Sequence, residues 1–396
     1  SDAGVGVYPT PFVHQVQALE NAVQGRDLFV STGTGSGKTE CFMWPLMAKL
    51  ATEAKDNPDT WKMRGVRTIV MYPMNALVSD QVSRLRRLIG DPEGKFLNVF
   101  RSTCGETVRR PQFGMYTGRT PYPGNEPVTS EDRKLEKTLA RMSFPQTDSE
   151  KSFFEALRHE GKIPAKMDMQ TFLEGLHNGR HIPDAEDAEL ITRFEMQKFC
   201  PDILITNYSM LEYMLLRPRE AKIWQDTKEW LEENPSNKLL FVIDEAHMYR
   251  GSSGGEVALL IRRLFHKLGI TRDRVQFILT TASMPDRDQE DKNAVYKFAQ
   301  ELTAADTTVE FCYLTGEKEQ ADTVELRSIP LQSFQSADAS AFEENELVCF
   351  QALNQFWSGV EGSTAPFTDM ASACQWMYDN LIAYRPFHTL ISKCRG

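Results

Sequence analysis

Phe29-Val30-Ser31-Thr32-Gly33-Thr34-Gly35-Ser36-Gly37-Lys38-Thr39 decides the fold. β-prone residues run into a glycine-rich turn, a Lys-Thr pair follows, and Cys41 to Leu50 reads as a helix. A phosphate-binding loop needs this order. Glycines let the backbone turn so that several N–H groups face one anion, lysine reaches the outer phosphates, and the Thr39 hydroxyl can ligate Mg²⁺. The strict pattern places a glycine five residues before Gly37, where this chain has Thr32. A flexible loop that binds nothing is the alternative, but the flanking strand and helix signals favour a site for a nucleoside triphosphate. Thr34, Gly35, Ser36, Gly37, Lys38 and Thr39 are its expected contacts.

Outward from this loop, Val16 to Val23 reads as a helix that stops at Gly25. Just before it stand Phe12 and Gln15. A glutamine amide can pair with both N6 and N7 of adenine, and Phe12 can pack on the purine. Downstream, Lys238 to Ile243 is a strongly apolar strand that ends in Asp244-Glu245-Ala246-His247. A carboxylate pair at the end of a buried strand needs a reason. Asp244 suits a Mg²⁺ ion opposite Thr39, Glu245 suits the water that attacks the γ-phosphate, and His247 can link that region to the next element.

Between these motifs, strands and helices alternate. Val66 to Tyr72, Asp202 to Thr206 and Val275 to Leu279 read as strands, as does Leu97 to Ser102. Asn75 to Ile89, Tyr208 to Leu216, Ala221 to Glu233 and Glu256 to Lys267 read as helices. Such alternation gives a parallel sheet with helices on both faces, and ligands bind at the carboxyl ends of its strands. Gly124 to about Lys198 is charged and helix-prone, so it reads as a helical insertion. After Pro285, Lys292 to Leu302, Ala341 to Trp357 and Met370 to Ala383 read as helices, with strands at Thr308 to Leu314 and Thr323 to Pro330.

The whole chain carries a net charge of −10, yet Arg84 to Arg119 holds eight basic residues against three acidic ones. A solvated helix face and a nucleic-acid contact both fit that local excess. The seven cysteines are widely spaced, with no Cys-x-x-Cys, which argues against a zinc site or a disulfide framework and for a reducing compartment, the cytoplasm. No apolar run approaches the twenty or so residues that span a bilayer, and Ser1 to Tyr8 is not a secretion signal.

Thr-Gly-Thr-Gly-Ser-Gly-Lys-Thr with Asp-Glu-Ala-His resembles motifs I and II of the superfamily 2 DExH-box helicases. His14-Gln15 resembles their adenine motif, Tyr72-Pro73-Met74-Asn75-Ala76-Leu77 motif Ia, Thr117-Gly118 motif Ib and Thr206-Asn207 motif Ic. Thr281-Ala282-Ser283 stands where the family has motif III. Tyr249-Arg250-Gly251 with Arg262-Arg263 is similar to the group of Hrq-type and mitomycin-repair helicases, with relatives in the anti-phage systems DISARM and Druantia.

The resemblance implies an α/β, RecA-like P-loop NTPase domain over residues 1–123 and 199–290. It is interrupted by the 124–198 insertion and followed by a mixed, mainly helical segment over 291–396. It implies ATP and Mg²⁺ as cofactors and nucleic acid as partner, as single strand, duplex or fork, DNA rather than RNA. Pro73, Met74, Asn75, Thr117, Gly118, Thr206 and Asn207 would hold the backbone of one strand, and Thr281, Ala282 and Ser283 would couple that surface to the γ-phosphate. The +5 segment between Ia and Ib then reads as lying near nucleic acid.

Family members also carry a second RecA-like domain whose arginines complete the site, usually within a Gln-x-x-Gly-Arg-x-x-Arg type motif. None follows Pro285. This chain therefore reads as the N-terminal half of a larger motor that hydrolyses ATP poorly alone. Defence or repair proteins are further expected partners, and no membrane is. An ATP-gated scaffold that recruits a nuclease without unwinding is the alternative. A small-molecule P-loop kinase fits neither Asp-Glu-Ala-His nor the lack of a lid.

Overall fold

Most of the short β-rich runs build one sheet because they are apolar on both faces and are followed by enough chain for a helical crossover. The computed structural model describes residues 11–33, 35–90, 94–122, 133–143, 145–178, 180, 182–282, 289–316, 327–335, 338, 340–341, 345–361, 365 and 367–394. Its strands are β1 (Asp27–Ser31), β2 (Thr68–Tyr72), β3 (Phe113–Tyr116), β4 (Glu189–Leu190), β5 (Ile203–Asn207), β6 (Leu239–Ile243), β7 (Val275–Thr281) and β8 (Phe311–Thr315). They lie in the order β4-β3-β5-β2-β6-β7-β1-β8, and every pairing is parallel.

Alternate strand residues feed two cores, as the pleat requires. Leu240 and Val242 of β6 join a layer under α1 (Val13–Val23), α2 (Glu40–Asp56), α3 (Pro58–Lys62), α4 (Asn75–Leu88) and α5 (Lys95–Cys104). Helices α6 (Arg133–Ser143), α7 (Asp148–His159) and α8 (Met169–His177) come next in the chain. Of these, α6 and α8 share a small core of Leu139, Phe172 and Leu176 with Tyr122 and Phe194. On the opposite sheet face, Leu239, Phe241 and Ile243 pack with α9 (Arg193–Lys198), α10 (Tyr208–Leu216), α11 (Ala221–Glu233), α12 (Ser252–Leu268) and α13 (Gln289–Leu302).

Three expectations are corrected here. Leu97 to Ser102 is not a strand but the middle of α5: Phe96 and Phe100, one helical turn apart, stack at 5.6 Å and are buried toward Trp61. Helical spacing of two large aromatics outweighs the local β preference. The insertion expected to reach 198 gives way to the sheet at Glu189. Its side chain is buried because Arg86 grips both carboxylate oxygens at 2.7 Å and the Ala165 N–H donates to it at 2.9 Å. Third, the sheet does not end at 290. Strand β8 pairs with β1 along Asp27↔Phe311 to Ser31↔Thr315, burying Phe311 and Leu314.

At the sheet end opposite the motifs, Arg67 is fully buried. Glu53 lies at 3.0 Å and Asp202 at 3.4 Å, and the guanidinium sits over the Trp230 and Trp61 rings at 4.8 and 5.4 Å. Arg109 clamps both Asp202 oxygens at 2.7 Å. The chain divides into two compact units, Ser1–Glu317 and Lys318–Gly396. The second contains α14 (Leu331–Gln335), α15 (Glu346–Glu361), α16 (Met370–Asn380) and α17 (Arg385–Cys394), built around Trp357, Trp376 and Tyr384. The strand expected at Thr323 to Pro330 begins outside the described residues, and Arg327 makes only an isolated bridge with Tyr384.

Candidate nucleotide site and nucleic-acid surface

Strand β1 delivers the phosphate loop and α2 leaves it. Gly35 and Gly37 take left-handed φ of 82° and 71°, which favour glycine. A Cβ at Gly37 would stand 2.1 Å from Gln15 Nε2. Where the strict pattern has glycine, Thr32 is buried, and its hydroxyl accepts from Ser36 Oγ at 2.7 Å. The departure therefore braces the loop from within. Gln15 Nε2 donates to the Gly37 carbonyl at 3.0 Å, while Gln15 Oε1 accepts from Phe12 N at 2.9 Å. His14 adds a ring-nitrogen contact to the Ser36 carbonyl at 2.9 Å and stacks on Phe12, which is half-exposed.

Two strands away, Asp244 and Glu245 end β6. Asp244 is buried and accepts hydrogen bonds from Thr280 Oγ1 and, at 3.1 Å, from the Glu245 N–H. Burial pushes its carboxyl above the usual range; the Thr280 hydrogen bond opposes that rise, and the Glu245 charge adds to it. Glu245 sits at φ 51°, a strained value for a residue with a side chain. That turn sets one carboxylate oxygen 3.5 Å from Lys38 Nζ and the other 3.2 Å from His247 Nδ1. His247 Nδ1 also lies 3.0 Å from Thr281 Oγ1, and the Thr281 carbonyl accepts from Thr32 N at 3.2 Å. Thr281 therefore bridges the phosphate loop and the Asp-Glu-Ala-His turn. Ala282 ends this segment; Thr34 and Ser283 lie outside the described residues.

Sequence reasoning missed several groups here. Gln81 of α4 is buried and donates to Thr39 Oγ1 at 3.4 Å, while its Oε1 has no hydrogen-bond partner. Tyr72, at the end of β2, is buried with an unpartnered hydroxyl, its phenol held well above the ordinary value by burial and by the Asp244 charge. The signal for Gln81 was present: it lies on the stripe of Val78, Val82 and Leu85, where an amide is out of place. Thr39 and Asp244 offer hard oxygen donors, and no cluster of three or more His, Cys, Asp or Glu that could hold a metal occurs among the described residues. Oxygen donors of this kind fit Mg²⁺, which binds few protein oxygens and arrives with phosphates and water.

The expected strand-contact residues cap β2, β3 and β5. Met74 and Gly118 are exposed, Pro73 and Asn75 partly so. Asn207 Nδ2 donates to Asn75 Oδ1 at 2.5 Å, and Asn207 Oδ1 caps α10 by accepting from Met210 N at 2.8 Å. The two threonines face inward: Thr206 Oγ1 donates to the Tyr116 carbonyl at 2.7 Å, and Thr117 is buried, with Arg193 donating to its carbonyl at 2.8 Å. The basic segment is also largely spent inside the fold. Arg84 pairs with Glu40 at 3.1 Å, Arg86 with Glu189, Arg101 with Glu186 at 2.7 Å and Arg109 with Asp202, while Arg110 is buried against the Ile89 carbonyl. Its charge therefore does not by itself mark a nucleic-acid surface.

The family model described as DEAD/DEAH box helicase matches residues 12–119 and 165–291. Druantia protein DruE of Escherichia coli (strain UMEA 4076-1) is 38% identical over 431 residues, covering 100% of this chain and 22% of DruE. The ATP-dependent helicase MJ1574 of Methanocaldococcus jannaschii, itself uncharacterized, is 22% identical over 273 residues, 69% of this chain and 26% of that protein. The chain thus spans about a quarter of the length of these relatives or less. Among solved structures, the DUF1998 helicase MrfA bound to DNA is 19% identical with a TM-score of 0.40, covering 76% of this chain and 27% of that one. Mss116p bound to ssRNA and AMP-PNP is 12% identical with a TM-score of 0.42, covering 88% and 49%. Both halves of the family match fall on the sheet that carries the phosphate loop and the Asp-Glu-Ala-His turn, so the chain belongs to the DEAD/DEAH box helicases.

Proposed function

We propose that this chain is the ATP-binding half of a nucleic-acid helicase or translocase motor that acts on DNA. One observation carries the reading: the sheet order divides the candidate residues into two adjacent groups. Strands β6, β7 and β1 end in Asp244, Thr281 and the phosphate loop, while β3, β5 and β2 end in Thr117, Asn207 and Pro73. The candidate nucleotide residues and the candidate strand-contact residues thus share one sheet, at the ends where parallel sheets bind ligands.

Lys38 binds the outer phosphates together with the N–H groups of Gly35 to Thr39, and Thr39 and Asp244 would hold Mg²⁺. The bound cation withdraws charge from the phosphoryl oxygens. Glu245 accepts a proton from the attacking water, and His247 and Thr281 pass the state of that region toward the strand side. When phosphate takes Lys38, the 3.5 Å contact between Lys38 and Glu245 is released and Glu245 becomes available as a base. Phe12 and Gln15 read adenine, which requires the Gln15 amide to leave the Gly37 carbonyl. Pro73, Met74, Asn75, Gly118 and Asn207 hold a strand backbone, with Thr117 and Thr206 shaping that edge from beneath.

A second RecA-like domain completes the site in the whole protein, so these 396 residues alone turn over slowly. DNA is favoured over RNA by the Tyr249-Arg250-Gly251 likeness to the mitomycin-repair group. The 38% identity to DruE supports a role in anti-phage defence, and the widely spaced cysteines favour the cytoplasm.

The test is nucleic-acid-stimulated ATPase of the full-length protein with single-stranded DNA, duplex DNA and RNA side by side. Stimulation by DNA is expected. Lys38→Ala should abolish turnover, and Glu245→Gln should bind ATP and DNA while hydrolysing at least a hundredfold more slowly, on the order of what loss of a general base costs. Parent-like hydrolysis by Glu245→Gln overturns the assignment.

A further inference from the structure

Helix α4 begins at the strand-contact segment, and one of its residues reaches the threonine of the phosphate loop. Gln81 lies six positions after Asn75, where the helix starts, and it is only 7% exposed. Its Nε2–H donates to the Thr39 hydroxyl at 3.4 Å, and its Oε1 is buried with no hydrogen-bond partner. A second orphaned oxygen, the Tyr72 hydroxyl, ends the strand that leads into this helix. A buried acceptor left unpaired is costly, whereas an apolar side chain at the same place would pack with Val78 and Val82 at no such cost. The amide is therefore explained by something that arrives: a polar ligand that uses the free oxygen.

We propose that Gln81 is a positioning residue that fixes the Thr39 hydroxyl for Mg²⁺-bound nucleotide and links that site to the strand-contact end of α4. The inference rests on the ATP-dependent reading above and adds to it a route between its two halves. A donor on Thr39 Oγ1 occupies one lone pair and leaves the other for the cation. The free Oε1 is then the acceptor for water carried in with the ion. Any movement of Thr39 on loading is felt at Gln81, and α4 is a continuous helix back to Asn75. There the Asn75 carboxamide oxygen accepts from Asn207 Nδ2, joining motif Ia to the start of α10. Strand β2, which precedes α4, is also the strand that borders β6 and Asp244 in the sheet. The linkage is thermodynamically reciprocal: nucleotide strengthens DNA binding by the factor by which DNA strengthens nucleotide binding.

The experiment titrates a fluorescent, non-hydrolysable ATP analogue into full-length protein, with Mg²⁺ or with EDTA, and with or without a single-stranded DNA oligonucleotide. Gln81→Met keeps the volume and removes the amide. Its affinity in EDTA should stay within about twofold of the parent, while the affinity with Mg²⁺ should fall about five- to tenfold, the worth of one or two buried hydrogen bonds. The effect of DNA on nucleotide affinity should shrink toward one. Gln81→Asn, too short to reach Thr39, should behave alike, and it supplies the answer if the methionine variant does not fold. Equal losses with and without Mg²⁺ would mean a merely structural role and overturn the proposal, as would a Mg²⁺ affinity and DNA effect equal to the parent's. A parent protein that binds the analogue but shows no DNA effect overturns the linkage alone. A parent that binds no analogue overturns the ATP reading instead.

Discussion

Asp244 combines two demands that oppose each other, burial and charge. Burial raises its pKa, and the Thr280 hydroxyl is the group that holds the rise in check. Replacing Thr280 by valine keeps the β-branched shape and removes the donor. The carboxyl should then titrate at higher pH, because the charged form has lost a hydrogen bond. On the proposed function, a protonated Asp244 would not hold the cation, so Mg²⁺-dependent nucleotide affinity would be lost as pH falls through that pKa. The expected outcome for Thr280→Val is an acid limb displaced to higher pH, with affinity at neutral pH lowered about tenfold, the scale of one charge-assisted bond. Nucleotide titrations from pH 5 to 8 read both effects, and a superimposable pH profile would show that Thr280 does nothing for Asp244. Residue chemistry of this kind was half legible. Asp244 announces itself by following five apolar residues, whereas Thr280 is an ordinary strand threonine until β7 is placed beside β6.

Elements are held at the far end of the sheet by charge rather than by apolar packing alone. Asp202 opens β5, and the guanidiniums of Arg67 and Arg109 meet there with Glu53 of α2 and the Trp61 and Trp230 rings. Burial alone would raise Asp202, yet Arg109, then Arg67 and Arg64, hold its carboxyl below the usual range. A depressed carboxylate contributes stability that is present above its unfolded value of about 3.9 and is lost as pH falls through its folded value. Asp202→Ala leaves buried arginines uncompensated and should cost about 3–5 kcal/mol in urea unfolding at neutral pH. As pH falls through the depressed folded value of Asp202 the penalty should shrink, because the parent then loses the same charge. A loss under 1 kcal/mol at neutral pH would refute this account. The same logic explains why β4 and α5 escaped the sequence. Strand β4 is two residues long and includes a glutamate, buried only because Arg86 comes from 103 residues away to meet it. Helix α5 carries β-prone residues in a helical rhythm, so local preference points to a strand where spacing makes a helix. By contrast, β1, β2, β5, β6 and β7 were legible because apolar runs buried on both faces have few other places to go.

For the whole molecule, the proposed function raises the question of how a chain with a net charge of −10 would approach nucleic acid. Charge counted along the sequence placed an excess of positive residues between motifs Ia and Ib, and folding redistributes it. Arg84, Arg86, Arg101 and Arg109 meet carboxylates, and Arg110 is buried, whereas Arg87 and Arg119 remain exposed. Pairing of this sort depends on tertiary contacts and is invisible to a count. It also makes a quantitative difference, because only a cation that neutralises a phosphate releases a counterion. Each such contact with single-stranded DNA steepens the logarithmic salt dependence of binding by about 0.7. Arg87→Gln and Arg119→Gln should each flatten the slope by about that amount in titrations between 50 and 200 mM salt. Arg101→Gln, which removes a charge already matched by Glu186, should leave the slope unchanged. If Arg101→Gln flattens the slope as much as Arg87→Gln does, the arginines leave their carboxylates on binding. The basic segment would then be a nucleic-acid surface after all, held closed by internal pairs until a strand arrives. If neither exposed arginine matters, the strand is held by main-chain amides and small polar groups alone, and binding should vary little with salt.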